Sequence, residues 1–180
     1  MRIISGNFKG KVIMAPLSLP VRPTTDIAKE ALFNWLTFRI DITEVEAMDL
    51  FAGTGNITYE LISRGAKNVV SVDMNPKCVR FINETLQKLQ VRNVQVFNTD
   101  AFVAIKRVKK KFDLIFADPP YDFPDYHKFV RTLLETDLLN PHGWIIIEHP
   151  QTVNFTLIPG FSEQRNYGKL NFSFFQTPQS

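Results

Sequence analysis

Asp118-Pro119-Pro120-Tyr121 closes an apolar run, Phe112-Asp113-Leu114-Ile115-Phe116-Ala117, that has the composition of a buried strand. A carboxylate, two prolines without backbone N–H groups and an aromatic ring in succession suit a planar base bearing an exocyclic amine. The carboxylate and the Pro119 carbonyl can accept hydrogen bonds from the amine, no proline amide competes, and the Tyr121 ring can stack on the base. Upstream, Asp49-Leu50-Phe51-Ala52-Gly53-Thr54-Gly55-Asn56 sets two glycines after another apolar run, where backbone can approach a nucleotide-like cofactor at a helix N-terminus. The two motifs together predict methyl transfer to an amine, with S-adenosylmethionine as donor.

Two further carboxylates stand at strand ends. Asp73 ends the run 69–73, where it can accept hydrogen bonds from both hydroxyls of a ribose, and Asp100 follows the run 94–98, placed to meet an adenine amine. Ala101 or Phe102 would line the adenine ring. The expected cofactor-binding residues are therefore Asp49, Phe51, Gly53, Thr54, Gly55, Asp73, Asp100 and Ala101, and the expected catalytic residues are Asp118, Pro119, Pro120 and Tyr121. Taken singly, each has a plainer reading: glycines after a strand make turns, aspartates cap helices, and Asp-Pro-Pro is a rigid turn. Four such signals at four successive strand ends point to one rim. A dinucleotide site would show G-x-G-x-x-G, but Tyr59 and its neighbours stand where the third glycine would fall, which argues against a nicotinamide cofactor.

The elements that must position these residues read as an α/β fold. From residue 45 onward, short apolar runs at 45–50, 69–73, 94–98, 112–117 and 143–148 alternate with helical segments, the pattern of βαβ units and a mostly parallel Rossmann-like sheet. Thr24 or Thr25 caps a helix with Ala28, Ala31, Leu32, Trp35 and Leu36 at helical spacing. Asn75-Pro76 opens another, with Val79, Ile82, Leu86 and Leu89 on one face, and Arg64-Gly65 ends the helix before it. In the tail, 153–158 and 170–175 are strand-like with no helix between them and predict a C-terminal antiparallel hairpin. Residues 2–14 alternate around Gly6 and Gly10 and predict a short N-terminal hairpin. The expected division is an extension over 1–21 and a methyltransferase domain over 22–180.

With 180 residues the chain suits one domain, and 44% hydrophobic with 22% charged residues is the composition of a globular protein. No apolar segment approaches the roughly 20 residues needed to cross a bilayer, and Met1-Arg2-Ile3-Ile4-Ser5-Gly6 lacks a signal-peptide core, so a cytoplasmic protein is expected. The single Cys78 reads as a packed helix residue, and His127, His142 and His149 are scattered, so no metal site is expected. A net charge of +3 and a pI near 9.0 permit a nucleic-acid partner. The basic run from Lys106 to Lys111 precedes the fourth strand, about 20 Å from the rim, and reads as a solvated face. Arg2, Lys9, Lys11, Arg22, Thr24 and Lys29 are better placed to meet substrate phosphates.

These motifs resemble a known family, the bacterial methyltransferases that modify guanine N2 in small-subunit (16S) ribosomal RNA. The resemblance runs from Arg2-Ile3-Ile4-Ser5-Gly6 and Lys9-Gly10 through Arg22-Pro23-Thr24-Thr25-Asp26 and Leu32-Phe33-Asn34-Trp35-Leu36. It continues through the glycine loop, Asp118-Pro119-Pro120-Tyr121, Glu148-His149 and Arg165-x-Tyr167-Gly168. Asn56 and Asp73 depart from the commoner residues at their positions without removing a group the cofactor site needs. The resemblance implies a monomeric, metal-free enzyme that takes a flipped-out guanine from 16S ribosomal RNA or a small ribosomal subunit. The same tetrapeptide can serve adenine N6 in DNA or RNA, or a glutamine amide in a protein. A third class, a catalytically silent cofactor-binding module acting in assembly, would have no need of an intact Asp118–Tyr121.

Overall fold

The apolar runs that end in aspartates become the centre of one twisted sheet. This computed structural model describes residues 1–16, 19 and 25–176. The strands are β1 (Glu46–Leu50), β2 (Asn68–Asp73), β3 (Val94–Asn98), β4 (Phe112–Ala117), β5 (Leu139–Pro150), β6 (Phe161–Tyr167) and β7 (Leu170–Phe175), in spatial order β3-β2-β1-β4-β5-β7-β6. The first five pair in parallel, and β7 runs antiparallel to both β5 and β6. Because β1 lies between β2 and β4, the order reverses there, and the carboxyl ends of β1 and β4 open a crevice at the switch point.

Among the described residues five α-helices cover the faces: α1 (Asp26–Thr37), α2 (Asn56–Ser63), α3 (Pro76–Lys88), α4 (Ala101–Arg107) and α5 (Tyr126–Glu135). Strand alternation sends Met48, Leu50, Ile115, Ala117, Ile145 and Ile147 to one core with Ala104, Phe129 and Val130. It sends Ala47, Leu114, Phe116 and Ile146 to the other, against Leu32 and Phe33 of α1 and Leu61 of α2. Side chains supply the missing partners at helix starts. Thr25 accepts from the Ala28 amide, Asn75 from Lys77, and Asp100 from Phe102 and Val103, each satisfying amides that a first turn leaves orphaned. Thr25 is therefore the cap of α1, and Thr24 lies outside the described residues.

The C-terminal hairpin is β6–β7, and residues 153–158 are not one of its strands. Val153 and Ile158 close turns back to Pro150 and Phe155, and Phe155 and Ile158 point into the core as anchors of a loop. β6 escapes a hydrophobicity reading because Phe-Ser-Glu-Gln-Arg-Asn-Tyr is an edge strand with most residues exposed. β5 is also longer than the expected 143–148, starting at Leu139 with an irregular register opposite β4.

At the N-terminus the expected hairpin is a loop closed by one antiparallel bridge, Arg2 to Val12, with Ile3 and Ile13 buried. It docks along α2. The Ile4 and Ser5 amides donate to Glu60 at 2.9 and 3.1 Å, and the Phe8 amide donates to Ser63 Oγ at 2.9 Å. The expected boundary at 21/22 falls outside the described residues.

Candidate active site

Beyond the ends of the parallel strands lies a cavity of about 510 Å³. Asp118, Pro119, Pro120 and Tyr121 line it from the end of β4, while Asp49, Phe51, Gly53 and Thr54 line it from β1 and its loop. Asp73 and Asp100 line it from the ends of β2 and β3. The structure thus gathers four strand-end signals into one crevice. Gly55 and Ala101 do not line it. Gly55, at φ +80°, lies so close to the Tyr59 ring that an added Cβ would come within 2.8 Å of it, and Ala101 packs into the core below α4.

The loop after β1 has left-handed φ at alternate residues: Phe51 at 58°, Gly53 at 55° and Gly55 at 80°. Such a conformation is strained for phenylalanine, and ring packing holds it there. The Phe51 ring meets Phe123 edge-on at 5.5 Å and Phe129 at 5.3 Å. Asp73 fixes the loop from the side, accepting from the Gly53 amide at 2.8 Å through Oδ2 and from the Asn75 amide at 2.8 Å through Oδ1. Burial raises the Asp73 carboxyl above its ordinary pKa, against the pull of those two amides. Each carboxylate oxygen keeps acceptor capacity for a second donor, such as a ribose hydroxyl. Asp100 uses Oδ1 to cap α4.

Asp49 lies beneath the loop and is 1% exposed. It accepts from the Thr58 amide at 3.0 Å and the Thr58 hydroxyl at 2.6 Å, joining β1 to α2. Burial pushes its carboxyl up to about 7, although both hydrogen bonds favour the charged form. At the reacting end, the Asp118 amide donates to Leu50 at 3.2 Å, which seats the tetrapeptide against β1. Tyr121 is 43% exposed and lines the crevice. The Tyr126 hydroxyl reaches the Pro119 and Pro120 carbonyls, and burial raises its pKa, with Asp118 and Glu148 adding to the effect.

A family model described as "Conserved hypothetical protein 95" matches residues 1–176. Ribosomal RNA small subunit methyltransferase D of Escherichia coli strain K12 is 33% identical, covering 82% of this chain and 71% of the relative. The chain belongs to this family of methyltransferases. The protein of the same name from Buchnera aphidicola subsp. Baizongia pistaciae is 28% identical, covering 97% and 91% of the two chains. A solved structure of yhhF, a candidate methyltransferase from Escherichia coli, superposes with a TM-score of 0.86 at 26% identity, covering 98% of this chain and 97% of that one. The fold is the Rossmann-like methyltransferase fold expected above.

Within this methyltransferase-D frame, the cavity also holds residues that sequence reasoning missed. Thr25, Asn56, Ile57, Phe116, Glu148 and Leu170 line it, as do Met74, Asn75 and Phe123. Glu148 belongs to the motifs that carry the resemblance, and its place beside the crevice follows from strand order, because β5 lies next to β4. Lys29 is not a phosphate contact. It is 0% exposed, and its Nζ donates to the Arg2 carbonyl at 2.6 Å and Asn56 Oδ1 at 2.8 Å, with Glu60 Oε2 at 3.4 Å. Arg2 is exposed at the end of the docked segment where Met1 Sδ meets Thr54 Oγ1 at 3.6 Å. Lys9 and Lys11 are also exposed, but Phe8, next to Lys9, bonds Ser63 at the far end of α2. Arg22 and Thr24 lie outside the described residues. Lys110 and Lys111 of the basic run pair with Glu46 and Asp137. Among the described residues no helix is long and apolar enough to cross a membrane, and no His, Cys, Asp and Glu group could hold a metal ion.

Proposed function

We propose that this chain transfers a methyl group from S-adenosylmethionine to the exocyclic N2 amine of a guanine in 16S ribosomal RNA, free or within the small ribosomal subunit. The observation that carries this reading is the meeting of Asp118–Tyr121 with Gly53 and Asp73 in one cavity at the switch point. Family membership supports ribosomal RNA as the acceptor, since the Escherichia coli relative is named for the small-subunit RNA. The reading carries with it a monomeric enzyme working in the cytoplasm, with Arg2, Lys9 and Lys11 of the N-terminal segment as contacts for the RNA.

The residues fit the cofactor. Asp73 would accept from the ribose hydroxyls, Asp100 from the adenine amine, and the left-handed loop at Phe51–Gly55 would bring backbone within reach of the cofactor's amino-acid end, above the buried Asp49. When bound, S-adenosylmethionine supplies a methyl group on a positively charged sulfur. The work of this chain is on the amine. A guanine amine delocalises its lone pair into the ring and is a poor nucleophile. Hydrogen bonds from it to the Asp118 carboxylate and Pro119 carbonyl favour a tetrahedral nitrogen, aim its lone pair at the methyl group and stabilise the positive charge that develops. Tyr121 stacks on the extruded base and fixes its plane. The proton leaves after transfer, so the chemistry calls for no separately tuned base.

The test is to incubate the protein with methyl-labelled S-adenosylmethionine and, separately, 16S ribosomal RNA and small subunits from cells lacking this gene, then identify the labelled nucleoside. N2-methylguanosine is expected and should vanish with Asp118→Ala. Labelled N6-methyladenosine would overturn the substrate. No label despite cofactor binding would favour the silent module.

A further inference from the structure

α4 and α5 both start beyond the carboxyl ends of their strands, β3 and β4, and run side by side away from the crevice. Their contact is aromatic. Phe102 of α4 meets Phe129 of α5 edge-on at 5.3 Å and stacks at 6.3 Å beside Phe123, which lines the cavity. Asp100, the cap of α4, lines the cavity too, so the seam between the two helices opens at the crevice mouth. Lys128 of α5 lies over the Phe102 ring, with its Nζ 5.8 Å from the ring centre. Side chains three or four residues apart share a helix face. Arg131 therefore follows Lys128 along the seam, and Lys106 follows Phe102, each about one turn, ~5 Å, further from the crevice. Arg107 closes α4 beyond Lys106.

Lys106, Arg107, Lys128 and Arg131 are all exposed, and among the described residues none of them forms an ion pair. Asp125 and Glu135 stand one turn before Lys128 and one turn after Arg131, while α4 contains no carboxylate, so the seam is net positive. A line of exposed cations leading out of a crevice that takes an extruded base meets the chain on one side of that base. The repeating group of that chain is the phosphate, which suits the point charge of lysine and the N–H fork of arginine. We infer that the α4–α5 seam is a phosphate track for the single-stranded RNA flanking the target nucleotide, with Lys128 nearest the crevice and Arg131 and Lys106 beyond it. This rests on the ribosomal RNA reading above and deepens it, since the crevice takes the base and the seam takes the backbone. Lys106 reads as part of a solvated face in the sequence because the cations that join it to the crevice belong to another helix.

The triple variant Lys106→Gln, Lys128→Gln, Arg131→Gln removes three charges and keeps polar side chains at exposed positions, and urea unfolding checks that it folds like the wild type. Filter binding of 16S ribosomal RNA is measured for both proteins between about 50 and 200 mM KCl. Each phosphate contact on a single strand adds about 0.7 to the slope of log affinity against log salt, so the variant's slope should be shallower by about 2 and its affinity lower by at least about tenfold. Arg80→Gln, Lys88→Gln, Arg92→Gln removes the same charge from exposed positions along and beyond α3, and its slope should change by less than about 0.7. An unchanged slope in the seam variant overturns the inference. So does an equal change in the α3 variant, which would show attraction to overall charge. If the triple seam variant does not fold, Lys128→Gln alone decides in the same way, with an expected change of about 0.7. The guanine reading fails separately: labelled N6-methyladenosine in the RNA would overturn it and leave the seam in place, whereas an unchanged slope beside labelled N2-methylguanosine would sink the seam alone.

Discussion

The Tyr126 hydroxyl lies 3.2 Å from the carbonyl oxygen of Pro119. It is also 3.0 Å from the Pro120 carbonyl and shares its one proton between the two. The Phe123 amide also donates to the Pro120 carbonyl at 2.8 Å, so that turn and the first turn of α5 together hold the tetrapeptide in place. A carbonyl oxygen has two lone pairs, and the bond from Tyr126 leaves Pro119 able to accept a substrate amine.

Tyr126→Phe removes this donor while leaving the ring, which meets Phe123 at 5.4 Å, in its packing. The expected result is a fall in kcat of about ten- to a hundredfold, with S-adenosylmethionine affinity unchanged and a stability loss of about 1 kcal/mol. Single-turnover kinetics beside calorimetric cofactor binding would read it. Unchanged kcat would mean that the prolines and the Phe123–Pro120 turn define the loop without Tyr126.

The buried pair Lys29–Glu60 joins the N-terminal segment, α1 and the cavity residue Asn56. Burial pulls the Lys29 ammonium below its ordinary pKa, against the attraction of Glu60. Lys29→Met would strand part of the Glu60 charge, although the Arg64 guanidinium at 2.8 Å and the Ile4 and Ser5 amides still hold it. A loss of about 3 kcal/mol in urea unfolding is expected. A loss well below 1 kcal/mol would show that Arg64 and the two amides satisfy Glu60 without Lys29.

Gly6 is where the N-terminal segment touches α2 most closely. Its φ is +82°, and an added Cβ would lie 1.7 Å from the Ser63 carbonyl oxygen, a backbone atom that cannot swing aside. Gly6→Ala should therefore undock residues 1–14 and expose them to protease, while the sheet and the cofactor site stay folded. If Arg2 meets the RNA as proposed, the variant should bind RNA more weakly, by about tenfold, with S-adenosylmethionine affinity intact. Protease resistance equal to the wild type would refute the docking argument.

The sequence made the sheet centre and the strand-end carboxylates readable because both depend on local pattern. An apolar run followed by Asp or Gly declares a buried strand and its rim wherever its neighbours lie. What it concealed depends on distant partners. Lys29 reads as a surface cation until Glu60 and the Arg2 carbonyl are brought to it. Glu148 reads as the polar end of a strand until β5 is set beside β4. β6 is missed for another reason, since an edge strand with most of its residues in water carries little hydrophobic signal.

Asp49 gives a pH-dependent test of the cofactor-site floor. Its folded pKa is raised from 3.8 to about 7, chiefly by burial, so between those values the folded protein holds a proton that the unfolded chain releases. The stability that the neutral carboxyl contributes is fully present below about pH 4, is lost as pH rises towards 7, and changes little above that. Asp49→Asn keeps an acceptor for the Thr58 amide and hydroxyl but does not titrate. The stability of the variant minus that of the wild type should therefore increase from pH 4.5 to 7 and level off. Asp73, also raised, and His149, whose burial lowers it to about 4, titrate in both proteins and largely cancel in the difference. Urea midpoints of the two proteins at pH 4.5, 6 and 8, without cofactor, are the measurement. A difference that does not change with pH would mean that Asp49 is charged in the folded protein throughout, with its bonds to Thr58 outweighing its burial.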